Sequence, residues 1–147
     1  MNTRTTTRGS CLCGSVRFEA VLPPMRFQYC HCVSCRKTTS SAHAANLFFL
    51  PEKFRWICGE ELIQRFTDQH TNLGYMRWFC KKCGSGLPRL NRSREYFVVP
   101  AGLLDDDPLA KPERSIFWDD HASCYSSVDA IPKLAEGPGS IIGENEK

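Results

Sequence analysis

The sequence predicts a mainly β fold. Two observations carry that expectation: short alternating or β-branched runs recur between turn residues, and helical periodicity is scarce. The strand-like runs are Ser15–Val21, Met25–Cys30, Ala42–Leu50, Leu62–Phe66, Tyr75–Phe79 and Glu95–Val99, and "FRWIC" (54–58) also alternates. Pro23-Pro24, Pro51, Gly59 and Cys83-Gly84 punctuate them. One helical turn is predicted after Cys32 and another around Pro51–Phe54.

At 147 residues the chain suits one domain that buries roughly 70% of its unfolded surface without disulfides. The polar ends predict a flexible tail at 1–9, a domain at 10–135 and a second tail at 136–147. "MNTRTTTRGS" lacks an apolar stretch, which argues against a signal peptide, and no run is long enough to span a bilayer. A cytoplasmic address is expected. The net charge of +3 is mild, and "RLNRSR" (89–94), the nearest thing to a basic cluster, reads as a solvated turn, so no nucleic acid is expected.

Nine cysteines, an odd number, point in a reducing compartment to metal ligation or thiol chemistry before disulfides. "CLC" (11–13) and "CKKCG" (80–84) each offer a close pair. If "CLC" is extended, Cys11 and Cys13 share a face, and Cys80-x-x-Cys83-Gly suits a metal knuckle. Zn–S bonds of about 2.3 Å place sulfurs roughly 3.8 Å apart, within reach of both spacings. A structural zinc on Cys11, Cys13, Cys80 and Cys83 is favoured over a redox dithiol, which would suit a βαβ setting.

"YCHCVSCRK" brings Cys30, Cys32 and Cys35 together, three ligands for a second zinc whose fourth position is open for chemistry unless another residue closes it. His31 alternates to the opposite face and is disfavoured as that residue. Cys58 reads as a core thiol beside Phe54 and Trp56, whereas Cys124 is a buried or free thiol or the fourth ligand. Three thiolates and Zn²⁺ sum to −1, a weak Lewis acid that favours an incoming soft thiolate. Arg36 and Lys37 are candidates to offset the charge.

Taken in order, "CLCGSVRFE", "CHCVSCRK", "FRWICGE", "FCKKCGSGL" and "AGLLDDDP" resemble the glutathione-dependent formaldehyde-activating enzymes over nearly all of Ser10 to Pro132. The resemblance implies a tent-like fold of packed antiparallel sheets with two zinc ions per chain, structural on Cys11, Cys13, Cys80 and Cys83 and catalytic on Cys30, Cys32 and Cys35. It further implies carbon–sulfur lyase chemistry joining a small thiol, glutathione or similar, to formaldehyde or a related aldehyde. Members often carry His-Ile and then Ser-Lys-x-Pro-Trp near the C-terminus; here the segment reads "RSIFWDDHASCYSS", with Ser115-Ile116 in the first place and His121–Cys124 in the second. His43, His70 and His121 are candidate proton donors, with none singled out. Two competing expectations are a non-catalytic module with two structural zincs that binds a protein partner, and a thiol-based redox or metal sensor.

Overall fold

The computed structural model describes residues 5–70 and 74–140. Its strands in chain order are β1 (Thr6–Ser10), β2 (Arg17–Val21), β3 (Arg26–Cys30), β4 (Ala44–Phe49), β5 (Phe54–Cys58), β6 (Ile63–Thr67), β7 (Met76–Cys80), β8 (Arg89–Leu90), β9 (Phe97–Pro100) and β10 (Arg114–Ile116). The α-helix, α1 (Val33–Thr39), follows β3, and a 3₁₀ turn spans Pro51–Lys53. These are the two places where the sequence predicts helical turns. The chain is mainly β, as expected.

Three sheets form, in the orders β1-β2-β5, β10-β3-β4-β9-β8 and β6-β7. Every strand pairing described is antiparallel except β10 on β3. The main core lies between the first two sheets. Phe18 and Ala20 of β2 and Phe54 of β5 meet Phe27 of β3, Leu47 and Phe49 of β4 and Val99 of β9. Period-two alternation aims Phe18 and Ala20 inward while Arg17, Glu19 and Val21 face away. Stacking of Phe54 on Phe97, with centroids 4.0 Å apart, carries the contact across both sheets. Each buried Phe or Leu contributes roughly 1.5–3 kcal/mol by leaving water.

Several expectations change. Residues 1–9 were expected to form a tail, but Thr6–Ser10 pair along β2 with Thr7 fully buried, because the edge of β2 needs partners for its backbone groups. Residues 1–4 lie outside the described residues, as do 141–147 of the C-terminal tail. Cys11 and Cys13 are not on a strand: the Gly14 N–H donates to Cys11 O at 2.8 Å, curling the chain into a turn with Gly14 at φ 72. Cys58 is not a core thiol. It keeps the parity of Phe54 and Trp56, but β5 runs past the core edge after a register shift at Arg17/Phe18, leaving Cys58 exposed. Strands β8 and β10 are too short to show a period in the sequence.

The Asp triplet of "AGLLDDDP" ties the far end of the chain to β1. Ser10 Oγ donates to Asp105 at 2.8–2.9 Å, and the Arg8 N–H donates to Asp106 at 3.1 Å. Among the described residues, no helix is long and apolar enough to cross a membrane.

Gly59 sits at φ 84, where an added Cβ would lie 2.2 Å from Ser15 O; at Gly102 an added Cβ meets open space. In urea denaturation, Gly59→Ala is expected to lose about 1–3 kcal/mol, combining left-handed strain with a backbone clash. Gly102→Ala should stay within about 0.5 kcal/mol.

Candidate metal centres and their cleft

Four sulfurs meet where the β1–β2 turn faces the end of β7. Cys11, Cys13, Cys80 and Cys83 hold their Sγ atoms within 4.8 Å of one another. Cys11–Cys13 at 3.5 Å and Cys13–Cys80 at 4.0 Å bracket the edge of a tetrahedral Zn–S₄ group. The knuckle closes through the Gly84 N–H donating to Cys80 O at 2.7 Å and the Cys80 N–H to Ser85 O at 2.9 Å. The Val16 N–H faces Cys11 Sγ at 3.3 Å, and the Leu12 N–H bonds Ser85 Oγ at 3.0 Å, pinning one loop to the other. Cys11, Val16, Cys80 and Leu87 form a small buried core of their own.

Local chemistry pulls these thiols apart. Burial pushes Cys11 up to about 11, while hydrogen bonding from the Ser85 hydroxyl and backbone holds Cys83 down to about 5. Several thiolates this close repel one another unless a cation sits among them, so the donor set fits a soft divalent metal.

The second cluster is Cys30, Cys32 and Cys35, with sulfurs within 4.8 Å of one another. Cys30 ends β3, Cys32 is the N-cap of α1, and Cys35 lies in its first turn with its N–H donating to Cys32 Sγ at 3.4 Å. Strand end and helix start thus turn all three sulfurs to one point. Cys30 is held down to about 6, chiefly because the Cys35 thiol donates to it, with a smaller pull from Arg89. Cys35, as that donor and a buried group, is pushed up; burial also raises Cys32. The trio therefore holds one negative charge readily and needs a cation to hold three, which again fits a thiophilic metal.

His31 points away from the sulfurs, as alternation predicts. It is fully buried, packed against the rings of His43, Trp118 and Tyr125, with Nε2 3.3 Å from Ser115 Oγ. Its Nδ1 has no partner among the described residues, and burial lowers its pKa, so the ring stays neutral. His43 stacks on Tyr29, His121 stacks on Trp118, and His70 is exposed. Cys124 is exposed and outside the metal-capable groups found among the described residues. Arg36 serves structure by donating to His31 O at 3.2 Å, and Lys37 is exposed.

Beside the three cysteines opens a cleft of about 450 Å³, whose walls include Tyr75, Met76, Arg89, Arg92, Phe117 and Asp120. Sequence reasoning missed all six. The Tyr75 hydroxyl lies 2.8 Å from Thr38 Oγ1, and burial raises its pKa. Phe117 takes φ 54, a left-handed backbone rarely adopted by a bulky residue, and lines the cleft beside the 3₁₀ turn Trp118–Asp120. Arg89 and Arg92 belong to the stretch read as a solvated turn; instead Arg89 follows the buried Leu87-Pro88 on β8, paired with β9, and both arginines line the cleft.

Fold and site together define a β-sheet protein with two cysteine clusters able to hold metal, one closed by four sulfurs and one with three sulfurs beside a cleft. Comparison then specifies the family. The sequence profile described as "Glutathione-dependent formaldehyde-activating enzyme" matches residues 6–120, and the chain belongs to that family. It is 37% identical over 112 residues to a Halomonas elongata protein named "Putative glutathione-dependent formaldehyde-activating enzyme", covering 72% of this chain and 70% of that protein. A crystal structure of a Rhodobacter sphaeroides protein shares the fold with a TM-score of 0.58 at 24% identity, covering 74% of this chain and 98% of that one.

The exposed Cys58 and Cys124 lie outside both clusters. In the metal-loaded protein a chromogenic disulfide reagent is expected to titrate these two thiols rapidly. The other seven should react only after a chelator is added; fast reaction of all nine before chelation would contradict the assignment of the clusters.

Proposed function

We propose that the protein is a zinc-dependent carbon–sulfur lyase-type enzyme that joins a small thiol, glutathione or a close relative, to formaldehyde. The observation that carries this reading is the contrast between the clusters: four sulfurs gathered into a closed group, and three beside a cleft of about 450 Å³. A structural zinc on Cys11, Cys13, Cys80 and Cys83 and a second on Cys30, Cys32 and Cys35 complete the reading. Family membership and the name of the Halomonas relative support the choice of thiol and aldehyde.

Zinc bound by Cys30, Cys32 and Cys35 supplies a site for a substrate sulfur in its thiolate form. The cleft walls then position the reactants. The substrate sulfur bonds to the aldehyde carbon, the carbonyl π bond breaks, and its oxygen takes up a proton; in reverse the same S–C bond breaks. Holding carbon and sulfur about 3–3.5 Å apart turns an encounter of two solutes into a first-order step. Met76 and Phe117 give the cleft apolar lining, and Tyr75, whose hydroxyl keeps its proton, lies in the same wall bonded to Thr38 Oγ1 at 2.8 Å.

Two measurements test this. Elemental analysis should find two zinc ions per chain, falling to one in both Cys80→Ser and Cys32→Ser. Cys80→Ser should also lower the melting temperature sharply, because metal binding at a closed site is folding free energy. By exchange NMR, the zinc-loaded protein should speed formation of S-(hydroxymethyl)glutathione over the spontaneous rate, and Cys32→Ser should abolish the gain. An uncatalysed rate with both zincs bound would overturn the proposal.

A further inference from the structure

We propose that Arg65, Arg92 and Arg94 form a second binding site, separate from the cysteine-lined cleft, for an organic phosphate monoester with an apolar body. The site is a groove of about 400 Å³ between the β6-β7 hairpin and the β8–β9 turn, a volume suited to a small molecule. Arg92 and Met76 line both cavities, whereas Arg65 and Arg94 line the groove and not the cleft, and no cysteine lines the groove.

Three observations point to this ligand. First, three guanidiniums line one concave surface that no carboxylate lines. Among the described residues none of the three is ion-paired, whereas Arg8 and Arg55 on the three-stranded sheet pair with Asp106 and Glu19. A carboxylate has two oxygens and satisfies one guanidinium fork; a phosphate monoester carries close to two charges and three acceptor oxygens, one for each arginine. Second, the arginines are presented on a preformed frame. Asn91 Oδ1 accepts from the Glu95 and Tyr96 N–H groups at 2.8 and 3.0 Å, and its amide donates to Ser93 Oγ at 2.7 Å. These bonds close the turn that carries Arg92 and Arg94, with Arg94 in the left-handed region at φ 62. The Glu95 carboxylate is taken up by the Ser93 hydroxyl. Arg65 lies over the Trp78 ring, 4.4 Å from its centroid, which holds the guanidinium while leaving its N–H donors unspent. Little ordering is left to do when an anion arrives. Third, the half-buried Met76, Trp78 and Leu90 line the same groove. They give an apolar surface that a bare inorganic anion would leave uncovered and an organic body would cover.

Phenyl phosphate is the probe, with one phosphate ester and one apolar ring. Titrated calorimetrically into the zinc-loaded full chain, it should bind, and more weakly as salt rises. Benzoate keeps the ring and offers a carboxylate, and inorganic phosphate keeps the oxygens and lacks the ring; each should bind about tenfold or more weakly. Arg65→Gln and Arg94→Gln should each weaken phenyl phosphate by a similar factor, and Arg65→Lys should recover part of the loss. Arg89→Gln, which alters the cleft and not the groove, should leave binding unchanged, and so should Cys32→Ser, which removes a ligand of the three-sulfur group. The site is overturned if phenyl phosphate does not bind, if either comparison compound binds as tightly, if neither Arg65→Gln nor Arg94→Gln weakens it, or if Arg89→Gln or Cys32→Ser abolishes binding. The comparison of the three compounds uses the unaltered chain and stands even if a variant misfolds. The groove uses no metal and no thiol, so its failure leaves the proposed function standing, and failure of exchange catalysis leaves the groove standing.

Discussion

The architecture depends on four sulfurs brought to one point from two segments of chain, with Cys13 and Cys80 67 positions apart. No uncharged packing preference gathers four thiols within 4.8 Å, and within the group burial raises Cys11 while hydrogen bonds from Ser85 lower Cys83. Its position matters as much as its chemistry. The cluster ties the β1–β2 turn to the end of β7, and through it the three-stranded sheet to the β6-β7 hairpin. The loop bonds from Leu12 to Ser85 and from Val16 to Cys11 run beside it, so sulfur and backbone contacts reinforce one junction.

The second cluster uses different local means. The strand end at Cys30 and the helix N-cap at Cys32 sit two residues apart, with Cys35 three further on, so the three converge with little long-range help. What tertiary structure adds is the wall on either side. On one side β3 presents sulfur to a cleft; on the other, His31 fills a nest of aromatic rings. A neutral, fully buried imidazole between two candidate ligands acts as a wedge, holding the Cys-x-Cys backbone against the sheet while Arg36 secures its carbonyl. Trp118 and Tyr125 pack on that wedge, and Phe117 and Asp120, close by in the chain, line the cleft. One short segment thus touches both sides of the site.

Much was legible in the residues. Alternation marked six of the ten strands to within a few residues, and "FRWIC" a seventh, because a sheet with one buried face writes its period into the chain. Ligand spacing marked both clusters, because a tetrahedral ion accepts few chain geometries. Other assignments failed for physical reasons. Thr6–Gly9 looked like a tail because an edge strand can be polar and owe its place to backbone hydrogen bonds. Cys58 looked buried because parity says which face a side chain takes and nothing about whether the core extends that far.

By itself the sequence determined the mainly β character, the close spacing of seven cysteines in motifs able to hold metal and the direction in which His31 points, since each is written in residues near one another in the chain. Only the tertiary structure decided that β10 lies parallel to β3, that Cys124 stays outside the clusters, and that Tyr75, Arg89, Arg92, Phe117 and Asp120 share a cleft with the three-sulfur group. Those residues come from separate stretches with no common period or spacing. Strand pairing and packing bring them together, and a pattern read along one chain holds no record of the partner across the sheet.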